Sequence, residues 1–69
     1  MKQRYTMQMA YEDAAMNFRF AKNLRPSHCD VRVAINDQMD AMEKDGFTVY
    51  HGHDQDKAFD AVRRLLKRS

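Results

Sequence analysis

PSHCDVRVAIND, residues 26–37, admits two readings, and the choice between them sets the fold. In the first, Pro26 closes the preceding segment, because it lacks an N–H and restricts Arg25. Ser27 with Asp30 three residues later then forms a capping box, with Asp in place of the usual Glu or Gln. A helix from His28 to Lys44 places Val31, Ala34, Ile35, Gln38 and Met42 along one side, with Met39 and Ala41 near it. Gln38 interrupts that stripe. In the second reading VRVAI is a strand, since three of its five residues are β-branched, and a short helix begins at Asn36 or Asp37. The capping signal favours the helix.

Upstream, Tyr5, Met7 and Met9 alternate with Arg4, Thr6 and Gln8, the period of a short strand. From Ala10 the period lengthens: Ala10, Ala14, Phe18, Ala21 and Leu24 share one helical face, with Tyr11 and Ala15 beside them. The other reading has Thr6 capping one longer helix that begins at Met7. Downstream, Gly46 in EKDGF marks a helix end with a left-handed cap. FTVYH is β-rich, with Phe47 and Val49 on one side and Thr48 and Tyr50 on the other, and could pair with residues 3–8. The closing DQDKAFDAVRRLLKRS is a helix with Ala58, Phe59, Val62, Leu65 and Leu66 as its apolar stripe. Its carboxylates Asp54 and Asp56 sit at the positive end, its basic residues at the other, and Asp60 can reach Arg64 one turn on. The fold expected is a single α+β domain over residues 1–69, β-α-α-β-α, with three helices and a short two-stranded sheet. A nearly all-α three-helix domain is the alternative.

Bulky aliphatic residues are scarce. Val, Ile, Leu and Phe together make 12 of the 69 residues, beside eight alanines and six methionines. So low a fraction suits disorder only when net charge is high, and here the net charge is +2. A folded but marginal domain follows, with methionine filling gaps and a partner or self-association adding stability. One cysteine, Cys29, leaves no internal disulfide, and no apolar run approaches the about 18 residues of a membrane span. The N-terminus is too polar and too acidic for a targeting peptide. A protein of the reducing cytoplasm is expected, and the short frame suggests a microbial or phage accessory protein.

VYHGHDQD, residues 49–56, is the densest cluster of potential ligands. His51 and His53 could meet one zinc ion, with His28 or Cys29 completing the set. The spacing opposes this. Only one thiol exists, His28 and Cys29 are adjacent and diverge, and Gly52 bends the chain between the two histidines. Asp54 already has a role as helix cap. A turn and cap is therefore expected, with no metal and no cofactor. Cys29 at a helix start would have a lowered pKa, but nucleophilic catalysis also needs a positioned base and a cleft. Pairs such as Asp37 with Asp40 lie on polar faces, and two glycines cannot build a phosphate loop. No enzyme is expected.

Charge is segregated along the chain. Residues 1–36 carry six basic and three acidic side chains, residues 37–60 two and seven, and residues 61–69 four basic ones alone. This suits steering toward a charged partner, as well as matching helix dipoles. The leading expectation is a protein-interaction module that modulates or inhibits a larger protein. Its binding residues would be Arg63, Arg64, Lys67 and Arg68 on one surface and Asp37, Asp40 and Glu43 on another. Tyr5, Met9, Tyr11, Met16 and Phe20 lie at or off the edge of the core stripe, which also suits a homodimer contact. The alternative is a nucleic-acid-binding regulator in which the same basic residues join Arg19, Lys22, Arg25 and Arg32. Residues 31–51 resemble the end of a winged-helix unit, a helix followed by KDGF and a strand. One helix of that unit is missing, and its recognition helix would turn Asp37, Asp40, Glu43 and Asp45 toward phosphates.

Overall fold

The computed structural model describes residues 3–68. Within them the order is β1 (Arg4–Tyr5), α1 (Met7–Phe20), α2 (His28–Lys44), β2 (Thr48–Val49) and α3 (Gln55–Lys67). The two strands pair in parallel, Arg4 opposite Thr48 and Tyr5 opposite Val49. Parallel neighbours need a long crossover, and α1 with α2 supplies it. Each helix packs on the other two, and β2 lies on α2. No helix among the described residues is long and apolar enough to cross a membrane.

VRVAI is helical. Ser27 Oγ accepts from the Asp30 N–H and the Asp30 carboxylate accepts from the Ser27 N–H, each at 3.1 Å, so the capping box outweighs the β-branched run. Pro26 is buried and precedes this cap, while Val31 occupies the fourth helical position, also buried; these are the two places of a hydrophobic staple. Val31, Ile35 and Met39 are fully enclosed, Ala34, Gln38 and Met42 half-buried, and Ala41 turns outward.

Two expectations about the first segment are corrected. Met7 and Met9 are helical rather than strand residues, because Thr6 Oγ1 accepts from the Met9 N–H at 3.2 Å and starts α1 there. The helix also stops at Phe20 rather than continuing to Arg25. Lys22 adopts φ 58°, the Asn23 N–H returns to the Phe18 carbonyl at 2.9 Å, and the Lys22 N–H to the Arg19 carbonyl at 3.0 Å. This is a Schellman turn with a lysine at the left-handed position. Ala21 and Leu24 thereby leave the core face, and Leu24 is 58% exposed. The end of α2 has the same bond pattern, Phe47 N–H to Met42 carbonyl and Gly46 N–H to Glu43 carbonyl. There the left-handed residue is Gly46, at φ 97° with open space around it, so backbone conformation rather than crowding calls for glycine.

The core is built largely from small residues. Ala10, Ala14 and Ala15 of α1 and Ala58 of α3 are buried, and the largest fully enclosed side chains are Ile35, Met39, Val31 and Val62. Tyr5, read from sequence as an edge residue, is 4% exposed and belongs to this core. Its ring meets Phe47 edge-on, and its hydroxyl donates to Asp13 Oδ2 at 2.5 Å. Gln38 donates to the same oxygen at 3.4 Å, which accounts for the polar break in the α2 stripe. Burial, then the adjoining Asp13 carboxylate, pushes the Tyr5 phenol well above its ordinary pKa, so the proton stays in this bond.

Lys22 holds a left-handed conformation that disfavours any residue with a Cβ. Lys22→Gly is therefore expected to raise the unfolding free energy by about 0.5–1 kcal/mol, after the extra unfolded-state entropy of glycine. Urea denaturation checks this, and a lower midpoint for the variant would contradict the assignment of the turn.

Candidate functional site

The basic residues of α3 follow from its amphipathic spacing. Ala58, Val62 and Leu66 are buried, so Asp60, Arg63, Arg64 and Lys67 fall on the opposite face, and all four are exposed, as is Arg68 at the cap. They border a shallow depression of about 190 Å³ lined by Asp60, Arg63, Arg64 and Lys67. Arg63 stacks over the Phe59 ring at 5.5 Å. The Asp60–Arg64 pair expected from spacing does not form. Among the described residues no Asp or Glu lies within ion-pair distance of Arg63, Arg64, Lys67 or Arg68.

Arg19 of α1 extends this basic end. Its guanidinium donates to the Leu65 carbonyl, placing a cation at the negative pole of α3. Beside it runs a second groove of about 170 Å³, lined by Gln8, Ala61, Arg64, Leu65 and Arg68. No local signal marks Arg19 for this role, because its acceptor lies 46 residues away.

Asp37, Asp40 and Glu43 occupy the face of α2 opposite Val31, Ile35 and Met39, and all three are exposed. Glu43 is engaged by His51 Nε2 at 3.0 Å. The acidic and basic sets each point away from the shared core, so the fold keeps them as separate surfaces. Val33 adds an apolar side chain to the outside of α2, 48% exposed.

The histidines are dispersed. His28 Nε2 meets Asp56 Oδ1 at 2.9 Å and its ring lies on Phe59 at 5.1 Å, so it ties the start of α2 to the start of α3. His51 ties the segment after β2 to the end of α2. Asp54 caps α3, accepting from the N–H groups of Asp56 and Lys57 at 2.8 and 3.2 Å. Burial, then the Asp54 charge, raises the Tyr11 phenol pKa. Cys29 is exposed, with an Arg32 nitrogen 3.6 Å from its sulfur. Among the described residues no three His, Cys, Asp or Glu side chains converge as ligands for one metal ion. Gly52 lies under the Tyr50 ring, whose hydroxyl would stand 2.5 Å from any added Cβ. That side chain is 66% exposed and can swing aside.

The strand after α2 pairs in parallel with the N-terminal strand and leads into α3. The hairpin wing that follows a winged-helix recognition helix is thus absent among the described residues. Compared with protein-family models, with curated proteins and with solved structures, the chain matches none.

His53 differs from the other two histidines. It is half-buried, and both ring nitrogens are shielded with no hydrogen-bond partner among the described residues. Shielded polar atoms without partners cost about 1–3 kcal/mol. His53→Leu is expected to raise the thermal midpoint, whereas a lower midpoint would show that the imidazole makes a stabilising bond in solution.

Proposed function

We propose that the chain is a non-enzymatic, cytoplasmic interaction module that modulates or inhibits a larger protein by presenting the basic end of α3 to an acidic surface. The observation that carries this reading is the exposure of Arg63, Arg64, Lys67 and Arg68 with no Asp or Glu in ion-pair contact among the described residues. Unpaired surface cations raise the local potential and accelerate encounter with an anionic partner. Arg19 adds to that end of the molecule, and its bond to Leu65 fixes it there. The acidic face formed by Asp37, Asp40 and Glu43 is a second contact, or a barrier to partners of the wrong charge.

A nucleic acid is the second reading, favoured by Arg64 and Arg68 lining one groove with Leu65, whose carbonyl holds Arg19. Two features count against it. The exposed face of α2 is acidic, and the parallel sheet leaves no wing to follow a groove.

The test is capture by the tagged protein from lysate, with and without nuclease, beside the Arg64→Glu/Arg68→Glu variant. The protein reading expects one stoichiometric protein in both treatments of the wild type. For the variant it expects an association rate reduced about tenfold at low salt. An unchanged rate would contradict the α3 surface. Loss of the captured material after nuclease, with affinity falling log-linearly in salt, would establish nucleic acid instead.

A further inference from the structure

We propose that the outer face of α1 is a self-association surface on which a second copy of this chain packs with its own α1 antiparallel. The charged faces of α2 and α3 play no part in it, and Arg19 is the one residue it shares with the reading above. Met9, Met16 and Phe20 recur at intervals of seven and four, which puts them on one side of the helix. They are 45%, 52% and 81% exposed, on the side opposite the buried Ala10, Ala14 and Ala15. Met16 and Phe20 border, with Arg19, an open apolar hollow of about 400 Å³. Single exposed apolar residues are ordinary, but three on one side of a helix, two of them bordering one hollow, are the feature of an interface.

Charge identifies the occupant. One edge of the strip carries Glu12 and Arg19, seven residues apart and both exposed. In an antiparallel helix pair, flanking positions of this kind meet across the seam. Turning a second α1 about a two-fold axis near Ala15 sets each Phe20 against Met9 of the other copy. The same rotation places each Glu12 beside Arg19 of the other copy, twice. A parallel arrangement would leave the Glu12 and Arg19 edges of the two copies on opposite sides of the seam and make neither pair. Four groups at the strip already have partners: the Asp13 carboxylate turns inward to Tyr5 and Gln38, Arg19 spends one nitrogen on the Leu65 carbonyl, Glu12 accepts from Gln8 at 3.4 Å, and the Met9 sulfur accepts from the Thr6 N–H at 3.5 Å. The remaining guanidinium donors are available for Glu12. The contact is isologous, so it closes at a dimer rather than growing into a filament.

The strip is short, three side chains and their flanks, so the interface falls near the lower limit of about 1,200 Å² for specific pairs. The dimer is accordingly weak. Sedimentation velocity on the full chain, from about 10 μM to 1 mM, is expected to show a reversible monomer–dimer equilibrium. Phe20→Glu, at the most exposed position, is expected to abolish it with the far-UV circular dichroism unchanged. Glu12→Arg and Arg19→Glu are each expected to weaken it about three- to tenfold, and the double swap to restore it. A wild type that stays monomeric at 1 mM would overturn the proposal. So would a dimer that persists in Phe20→Glu, or a double swap that associates no better than the single variants.

Discussion

The hydroxyl of Tyr5 is the tie on which this small fold depends. Two residues per strand cannot hold a sheet through backbone bonds alone, and isolated short pairs are marginal in water. Here the strand is anchored by its side chain. Tyr5 lies in the core, edge-on to Phe47, and donates to Asp13 of α1, which also accepts from Gln38 of α2. One carboxylate thereby joins β1, α1 and α2, three elements that local propensity alone would not bring together. A half-buried network of this kind specifies one arrangement when its members are satisfied.

Such a tie matters because the core supplies little else. Alanine dominates the buried face of α1, which lets α2 and α3 approach closely but leaves few large side chains to enclose. Specific contacts at the helix ends make up part of the difference: the Ser27–Asp30 box, the Asp54 cap, the Arg19–Leu65 bond and the His28–Asp56 and His51–Glu43 pairs. They consume acids and histidines that a metal site would need. They leave the exposed cations of α3 without ion-pair partners among the described residues, and Met16 and Phe20 of α1 exposed.

The sequence speaks clearly where the deciding chemistry is local. Ser27 with Asp30 marks the start of α2, Gly46 its end, and the spacing of Ala58, Val62 and Leu66 the buried side of α3. It is silent where the deciding group is distant or atypical. Lys22 in a left-handed turn carries no glycine signal, so α1 reads as longer than it is and Leu24 as a core residue. The aromatic ring of Tyr5 fits an edge position and a core position equally; only Asp13, eight residues on, and Gln38 decide between them. The break at Gln38 was the one visible trace of that network. For the candidate surfaces, exposure of the charged residues could be read from periodicity, but the approach of Arg19 to α3 could not.

The most direct test of this account is a double-mutant cycle on Tyr5→Phe and Asp13→Ala, measured by urea unfolding. A hydrogen bond that fastens the strand to the helices predicts a coupling of about 1–3 kcal/mol between the two sites. Effects that add within about 0.3–0.5 kcal/mol would mean that the residues act independently, and that apolar packing of the Tyr5 ring alone holds the strand in place.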